Sequence, residues 1–381
     1  MKDQLLFVKL VYIPVLLSIL LFGCTKKADQ NVIKVGEFGS LTGSEATFGI
    51  STHEGIILAV NEVNEQGGIN GKKIKVITVD DQGKPEEAAA AVTKLITSDK
   101  VVALLGEVAS SRSLAGAPIA QRYQVPMLSP SSTNPKVTQV GDYIFRTCFI
   151  DPFQGKVMAN FAYHTLKVRK AAILRDVKSD YSVGLSEFFT KTFEELGGKV
   201  VSDLSYTGGD VDFKAQLTAI RTKKVDGIFI PGYYTEVGLI ARQARELGLK
   251  MPLLGGDGWD SERLSEIGGA ALENSYFSNH YTSESKEPRV AEFVEKFKKA
   301  YSKVPDGLAA MGYDAALVMI DALKRSKNQT SKEIRDALAQ TKNFQAVSGI
   351  ISLNENRDAE KAAVVLVVKN GQFKYVETVN P

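Results

Sequence analysis

Segments with the patterns of strands and helices alternate along this chain with a period of roughly 25 to 30 residues, and this alternation constrains the fold most. The first half predicts strands at 32–38, 73–79, 101–105 and 125–128, with helices at 55–64, 85–97 and 113–123. The alternation resumes after residue 146, with strands at 171–174, 200–206, 227–231 and 251–254 and helices at 182–196, 212–222 and 236–247. Such alternation is typical of βαβ units and parallel sheets.

The two runs of βαβ units predict two lobes that join near residues 146–152. A chain of 381 residues exceeds what one hydrophobic core usually holds, which also favours two domains. Helices predicted at 289–301, 308–324 and 332–340 precede a tail with strands at 349–353 and 363–368. In doubly wound sheets the ligand lies beyond the carboxyl ends of the strands, so the loops that follow the strands are the candidate sites.

The N-terminal segment indicates export from the cytoplasm. A basic start leads into an apolar run over 10–22, which is interrupted by Pro14 and is short for a membrane-spanning helix. These features are typical of a secretory signal peptide. The sequence Leu-Phe-Gly-Cys, which ends at Cys24, resembles the bacterial lipobox and implies a signal peptide at 1–23, lipidation of Cys24 and a linker over 24–31. The alternative is an uncleaved membrane anchor with an incidental cysteine.

Composition narrows the classes of protein that follow this segment. Apolar residues make up 44% of the chain and charged residues 24%, as in an ordinary globular protein. The net charge is +3 with the signs mixed along the chain, so no basic stripe favours nucleic acid. The other cysteine, Cys148, has no intramolecular partner once Cys24 is lipidated, so we expect no disulfide.

Motifs of catalysis and of cofactor binding are largely missing. The segment 68–73 resembles a phosphate loop, but its spacing is too short and Lys73 stands where Ser or Thr should hold magnesium. Neither Gly-x-Gly-x-x-Gly after a strand nor Gly-x-Ser-x-Gly occurs. The histidines His53, His164 and His280 lack the spacing of metal ligands. We therefore expect no enzymatic activity, no cofactor and no metal.

Two loops that follow strands of the first half are rich in hydroxyl groups. Residues 106–113 follow the strand at 101–105 and open a helix, and residues 129–134 follow the next strand. Hydroxyls and free amides at a helix N-terminus suit a carboxylate ligand. The same residues would also serve as ordinary helix caps. The residues alone leave both interpretations open.

Several short segments carry a family resemblance through their order and spacing, and they are 33–35, 41–43, 61–71, 79–81, 130–135, 145–147, 232–236, 241–244 and 313–317. Together they resemble the periplasmic leucine/isoleucine/valine-binding protein family, the substrate-binding receptors of branched-chain amino acid ABC transporters. The similarity covers essentially the whole chain after Cys24. It implies an α/β fold of two doubly wound parallel-sheet lobes joined by a three-stranded hinge, the type I periplasmic binding fold. The implied lobes are 32–149 plus 281–345 and 150–280 plus 346–381.

The resemblance also implies the residues of a ligand site. By family position, Ser110, Ser131 and Thr133 hold an amino acid carboxylate, Asp257 pairs with the ammonium group, and Phe48, Tyr181 and Tyr233 form aromatic walls. The chemistry is consistent, because a buried zwitterion needs donors at one end and an acid at the other. The alternative for Asp257, within Gly-Gly-Asp-Gly, is a simple turn.

Departures from the family pattern leave the ligand open. The family's acid is commonly Glu, and the shorter Asp257 must lie closer to the ligand or act through water. The disulfide of some members falls on Gln82 and Ala109. Leu308 stands where familiar members have an aromatic side chain, which implies a wider pocket. Trp259 could reach the cleft or pack within its loop.

The implied function is that of a monomeric, lipid-anchored binding protein on the extracytoplasmic face of the membrane. It would capture a branched-chain or other apolar amino acid and deliver it to the permease subunits of an ABC importer. One alternative keeps the fold and binds an amide, urea or an aromatic or organic acid. Another is an extracytoplasmic ligand sensor, which neighbouring permease and ATPase genes would argue against.

Overall fold

The structure is a computed structural model that describes residues 31–381. The predicted signal peptide at 1–23, the predicted anchor Cys24 and the linker as far as residue 30 lie outside the described residues. Across 31–381, no helix combines the length and the apolar character needed to cross a membrane. Cys148 is a buried free thiol.

The first sheet is parallel throughout and forms the centre of the first lobe. Its strands β1 (Val32–Gly39), β2 (Lys73–Asp80), β3 (Ala103–Leu105), β4 (Met127–Ser129) and β5 (Ile144–Arg146) lie in the order β2-β1-β3-β4-β5. The connecting helices are α1 (Ala46–Glu65), α2 (Pro85–Thr97), α3 (Ser110–Arg122) and α4 (Lys136–Gln139). Helices that follow parallel strands cover the faces of the sheet, as expected for βαβ units.

The second sheet mixes parallel strands with two antiparallel strands from the C-terminus. The chain enters this lobe through α5 (Asp151–Asn160) and continues with β6 (Lys170–Asp176), α6 (Asp180–Glu195), β7 (Lys199–Tyr206), α7 (Lys214–Thr222), β8 (Gly227–Phe229), α8 (Tyr234–Glu246), β9 (Leu253–Gly255), α9 (Glu262–Gly268) and β10 (Tyr276–Asn279). Strands β6 to β10 pair in parallel in the order β10-β9-β8-β6-β7.

The chain then returns to the first lobe and crosses once more near its end. Helices α10 (Pro288–Tyr301), α11 (Gly307–Arg325) and α12 (Ser331–Ala339) are followed by a small sheet of β11 (Phe344–Ala346), β12 (Gly349–Leu353) and β13 (Ala359–Glu360). Finally β14 (Ala363–Lys369) and β15 (Gln372–Val379) add antiparallel strands to the second sheet beside β10. Within 31–381 the lobes are thus joined at 147–150, 280–287 and 361–362. The predicted fold class, with its three-stranded hinge, is confirmed.

The small sheet packs with the first lobe. Ile351, Leu353 and Ala359 are buried in the same hydrophobic cluster as Phe293 and Met319. The sequence expectation assigns these three residues to the second lobe, because its boundary lies at 345/346. In the structure the chain rejoins the second sheet only at β14. The lobe boundaries as a set remain a prediction.

Most predicted elements occur within a few residues of their expected bounds, but helix α1 begins at Ala46 rather than at residue 55. A Cβ on Gly49 would lie 2.2 Å from the carbonyl oxygen of Ser40, and one on Gly55 would lie 2.0 Å from that of Ala309. These glycines therefore let the helix pack against neighbouring backbone and do not end it. Helices α4, α5 and α9 and strands β5, β10, β11, β13 and β15 were not predicted.

Candidate ligand-binding site

A small cavity lies where loops that follow strands of both sheets meet. Together with its opening to solvent it comprises about 260 Å³ of space that no atom occupies. Its lining residues are Phe48, Val108, Ser110, Ser131, Thr133, Tyr181, Tyr233, Asp257, Gly258 and Leu308. The structure thus brings together every residue that the sequence resemblance assigned to a ligand site. Their individual roles in binding remain predictions.

Three hydroxyl groups form the first-lobe end of the cavity. Ser110 is the first residue of α3, and its Oγ accepts a hydrogen bond of 3.1 Å from the backbone N–H of Asn134. Ser131 Oγ is buried and has no hydrogen-bond partner within 31–381. Thr133 Oγ1 accepts from Nε2 of Gln154 at 3.4 Å. Because the Ser110 hydroxyl acts as an acceptor in its bond with Asn134, its proton remains available to an anionic group at this helix N-terminus.

Other hydroxyls in the same loops support the fold instead. Ser129 Oγ donates to the carbonyl oxygen of Glu107 at 2.7 Å, and Ser132 Oγ lies 2.8 Å from Ser113 Oγ. The residue before α3 is Ala109, which has no capping side chain. The capping interpretation is therefore not seen at α3, and the hydroxyls that do not face the cavity join the two loops instead. One set of hydroxyls ties the loops together, and the other set faces the cavity.

Asp257 forms the second-lobe end of the cavity. It follows β9 at the start of a single 3₁₀ turn, and the residue is 7% exposed. Its Oδ2 lies 3.0 Å from Nε2 of His280, whereas Oδ1 is buried and has no partner among the described residues. A buried carboxylate oxygen without a donor is costly. The cavity therefore presents an acceptor that a cationic group would satisfy.

The glycines around Asp257 are required by close approach of the chain. A Cβ on Gly256 would lie 2.5 Å from the hydroxyl oxygen of Tyr181, and one on Gly258 would lie 2.8 Å from the carbonyl oxygen of Gly232. Real Cβ atoms essentially never make contacts this short. The Gly-Gly-Asp-Gly sequence thus brings Asp257 against the aromatic wall of the cavity.

Aromatic side chains from both lobes close the cavity. The rings of Tyr181 and Tyr233 stack with their centroids 5.4 Å apart, and Phe48 meets Tyr233 edge-on at 5.5 Å. The Tyr181 hydroxyl accepts a hydrogen bond of 3.1 Å from the N–H of Gly258. Burial raises the pKa of both tyrosines far above the usual value, so both stay protonated. Offset-stacked and edge-on pairs are favourable arrangements of aromatic rings.

Leu308 and Trp259 have different positions relative to the cavity. Leu308, at the start of α11, lines it. Trp259 is fully buried in the second lobe, where its indole N–H donates to the carbonyl oxygen of Ile230 at 2.9 Å and its ring lies 5.9 Å from that of Phe277. Trp259 therefore packs within the core beneath its loop and is not a wall of the cavity.

Gln154 connects the two ends of the cavity, although the sequence gave no reason to single it out. It is fully buried on α5. Its Nε2 donates to Thr133 Oγ1 at 3.4 Å and to Asp151 Oδ1 at 2.8 Å, while its Oε1 accepts from Ser278 Oγ at 3.0 Å and from the N–H of Asp257 at 3.4 Å. One amide thus contacts residues at both ends. Burial raises the pKa of Asp151 to about 7.

Arg112 joins the two first-lobe loops that carry Gln82 and Ala109, the positions of the disulfide of some family members. Its Nη1 donates to Glu45 Oε2 and to the carbonyl oxygen of Gly83, both at 3.1 Å. Its Nε lies 3.2 Å from Glu107 Oε1. A buried ionic network therefore holds the loop that carries Ser110.

The lobes are closed over the cavity. Hydrogen bonds between side chains and backbone of the two lobes join Thr47 Oγ1 to Ser261 Oγ at 2.9 Å, Ser111 Oγ to Asp180 Oδ2 at 2.8 Å, and Thr235 Oγ1 to the carbonyl oxygen of Ser44 at 2.9 Å. These contacts lie at the margins of the cavity, so a ligand inside it would be shielded from water.

A larger groove of about 1540 Å³ opens to solvent near the hinge, with Asp260 and Asp306 in its wall. Both acids already have backbone partners. Asp260 Oδ2 accepts from the N–H of Gly307 at 2.7 Å, and Asp306 caps α11 by accepting from the N–H of Ala309 at 2.8 Å. The smaller cavity is the better candidate site because it brings together the hydroxyls of one lobe and the carboxylate of the other, with Asp257 Oδ1 lacking a partner among the described residues.

The structure has two doubly wound lobes that close over a cavity, with hydroxyls at one end of the cavity and a carboxylate at the other. This is the arrangement of a two-lobed solute-binding protein. The chain belongs to the periplasmic binding protein family, which matches residues 32–372. The family predicted from the sequence is thereby confirmed.

Relatives place the chain near branched-chain amino acid receptors. Leu/Ile/Val-binding protein homolog 1 of Brucella suis is 29% identical over 367 residues, covering 95% of this chain and 97% of the relative. The crystal structure of the leucine binding protein LivK from Thermotoga maritima is 43% identical, with a TM-score of 0.88, and covers 92% of this chain and 99% of that one. The substrate binding protein LivJ of the Streptococcus pneumoniae branched-chain amino acid transporter, in complex with isoleucine, is 35% identical with a TM-score of 0.87, covering 92% and 100%.

Proposed function

We propose that this protein is the substrate-binding component of an ABC importer and captures a branched-chain or other apolar α-amino acid between its lobes. The observation that carries this proposal is the polarity of the cavity. Hydroxyls with available protons lie at one end, and the unpaired Oδ1 of Asp257 lies at the other. A buried zwitterion needs both of its charges satisfied, and this arrangement supplies both kinds of partner.

Each end of the cavity has a distinct role in this proposal. Ser110, Ser131 and Thr133 donate hydrogen bonds to the ligand carboxylate. Asp257 pairs with the ligand ammonium group, and the small cavity favours a compact ligand. Loss of water from the closed cavity strengthens both electrostatic contacts.

The apolar wall favours an aliphatic ligand side chain. Phe48, Val108 and Leu308 contribute carbon surface, and Tyr181 and Tyr233 contribute ring faces. Burial of such surface is favourable by about 25 cal/mol per Å². Because the residues of the cavity are supplied by both lobes, ligand binding favours the closed arrangement over an open one. The protein then delivers the ligand to permease subunits without any chemistry of its own.

We also propose that residues 1–23 are removed and that the protein is anchored by lipid on Cys24 at the extracytoplasmic face of the membrane. A tether raises the effective concentration of the receptor near its permease. The expected result is incorporation of labelled palmitate into the wild-type protein and its recovery with membranes. The Cys24→Ser variant should lose both the label and the membrane association, and equal labelling of the two proteins would contradict the anchor.

A thermal-shift screen tests the ligand class. The compounds are leucine, isoleucine, valine, alanine and threonine, with leucinamide, urea and benzoate as representatives of the alternative ligands. A ligand at 100 times its Kd that binds only the folded state stabilises it by about 2.7 kcal/mol. We expect the aliphatic amino acids to raise the melting temperature. A rise in melting temperature with benzoate or an amide, but with none of the amino acids, would contradict the proposed ligand class.

Calorimetry on Asp257→Ala then tests the ammonium contact. We expect at least a 100-fold weaker affinity for the best amino acid, because the ligand charge would be buried without a partner. The matched control is Asp336→Ala, in which a half-buried helical aspartate paired with Lys332, far in sequence from the cavity residues, is removed. A loss of only a few fold in Asp257→Ala, or an equal loss in the control, would refute the assignment.

A further inference from the structure

His280 lies behind Asp257, on the side away from the cavity. It follows strand β10 directly, and the residue is 2% exposed. Its Nε2 is 3.0 Å from Asp257 Oδ2, and its ring packs on that of Phe149 with the centroids 3.8 Å apart. His280 does not line the cavity. Any effect of this histidine on a ligand must therefore pass through Asp257.

The geometry fixes where the proton of the histidine is. When Asp257 is ionised, as pairing with an ammonium group requires, its oxygens only accept hydrogen bonds, so the ring nitrogen 3.0 Å from Oδ2 carries the proton. The other ring nitrogen, Nδ1, is buried and has no partner among the described residues, which fits an unprotonated nitrogen. Burial lowers the pKa of His280, although the hydrogen bond with Asp257 acts in the opposite direction. The ring is thus a neutral Nε2–H donor.

A neutral donor has a specific consequence for the carboxylate. An imidazolium at this position would neutralise Asp257 and compete with a ligand cation. The neutral ring instead orients the carboxylate and leaves its negative charge intact. The two oxygens become unequal, because Oδ2 is occupied by the histidine while Oδ1 is free toward the cavity.

We infer that His280 is a positioning residue of the ligand site, which holds Oδ2 of Asp257 so that Oδ1 alone is presented to the ligand ammonium group. This inference rests on the proposed amino acid ligand. Asp257 has a single methylene between its backbone and its carboxyl group, so its reach is short and its orientation matters. The histidine fixes that orientation. A histidine that acted only by packing on Phe149 would contribute stability but would not distinguish the two oxygens.

A rescue experiment separates positioning from packing. His280→Leu keeps apolar bulk and removes the donor, whereas His280→Gln places an amide N–H near the position of Nε2. We expect His280→Leu to bind leucine at least ten-fold more weakly than the wild type by calorimetry and His280→Gln to bind it within about three-fold. Melting temperatures measured without leucine report the packing effect of each variant. Equal loss of affinity in both variants would overturn the inference.

Nitrogen NMR of the wild-type protein provides a test that does not depend on the variants folding. The ¹⁵N and ¹H resonances of His280 should show the neutral Nε2–H tautomer. They are assigned by their absence from the His280→Gln spectrum or, if that variant fails to fold, by their contacts with the Phe149 ring. We expect the Nε2 proton to shift on addition of leucine. An Nδ1–H tautomer or an imidazolium at pH 7 would overturn the inference. Absence of leucine binding to the wild type would instead refute the proposed function, while the tautomer would still decide the state of His280.

Discussion

Replacement of Arg112 by methionine should show that a buried ionic network holds the first-lobe loops. Arg112 is 5% exposed, and its carboxylate partners Glu107 and Glu45 are 1% and 8% exposed. Methionine retains most of the apolar stem and removes the guanidinium. Removal of one partner from a buried ion pair costs about 3–5 kcal/mol, because the remaining charge stays buried without compensation.

Protonation of a nearby acid sets how this cost depends on pH. Burial, and then the charge of Glu107, raise the pKa of Asp81 to about 7, while Arg112 opposes this rise. Without Arg112 the pKa of Asp81 should rise further, and at low pH the buried acids relieve their repulsion by taking up protons. We therefore expect Arg112→Met to lower the free energy of unfolding by about 3 kcal/mol at pH 8 and by less at pH 5.

Urea unfolding followed by circular dichroism measures both values. The matched control is Arg263→Met, which removes the exposed pair between Arg263 Nη1 and Glu266 Oε2 at 2.6 Å and should cost less than about 1 kcal/mol. The reasoning would be refuted by a loss in Arg112→Met no larger than the control. It would also be refuted by a loss that is the same at pH 5 and pH 8.

Three other perturbations have defined outcomes. Between about pH 4 and pH 7 the folded state retains a proton on Asp151 that the unfolded state releases, so the free energy of unfolding of the wild type falls as pH rises. Urea unfolding at pH 5 and pH 8 should show that this fall is at least about 1 kcal/mol smaller in Asp151→Asn than in the wild type. Gly258→Ala should weaken leucine binding at least ten-fold by calorimetry, whereas Gly39→Ala, whose added Cβ meets only an atom at 3.8 Å, should leave it unchanged. Leu308→Ala should weaken leucine binding about ten-fold through lost apolar contact and leave alanine binding nearly unaffected. Unchanged leucine binding in either site variant would contradict its position at the cavity.

The architecture and the cavity-facing residues could be predicted because they depend on local pattern and on chain order. Parallel strands place their carboxyl ends on one edge of a sheet, so the loops that follow β3 and β4 bring Ser110 and Ser131 together at the edge of the first sheet. Asp257 follows β9 at the corresponding edge of the second sheet. The family resemblance then selected the residues within those loops. The structure groups them, and their roles are testable.

Other features depended on the path of the backbone in three dimensions. Which hydroxyls face the cavity and which tie the loops together is decided by the exact course of residues 129–134. Gln154 lies on helix α5, in which buried polar residues interrupt the apolar pattern typical of a helix. Its contact with Asp257 spans 103 positions of the sequence. His280 was set aside because a lone histidine has no metal-ligand spacing. Its partner is a single carboxylate 23 positions away, and no sequence pattern marks that contact.

Calorimetric titration of the wild-type protein with leucine and with 4-methylpentanoate tests the central claim most directly. The two ligands share the aliphatic chain and the carboxylate, and only leucine carries the ammonium group that Asp257 is proposed to bind. If the cavity recognises a zwitterion through charges at both ends, leucine should bind at least 100-fold more tightly than 4-methylpentanoate. Affinities that agree within a few fold would contradict this account.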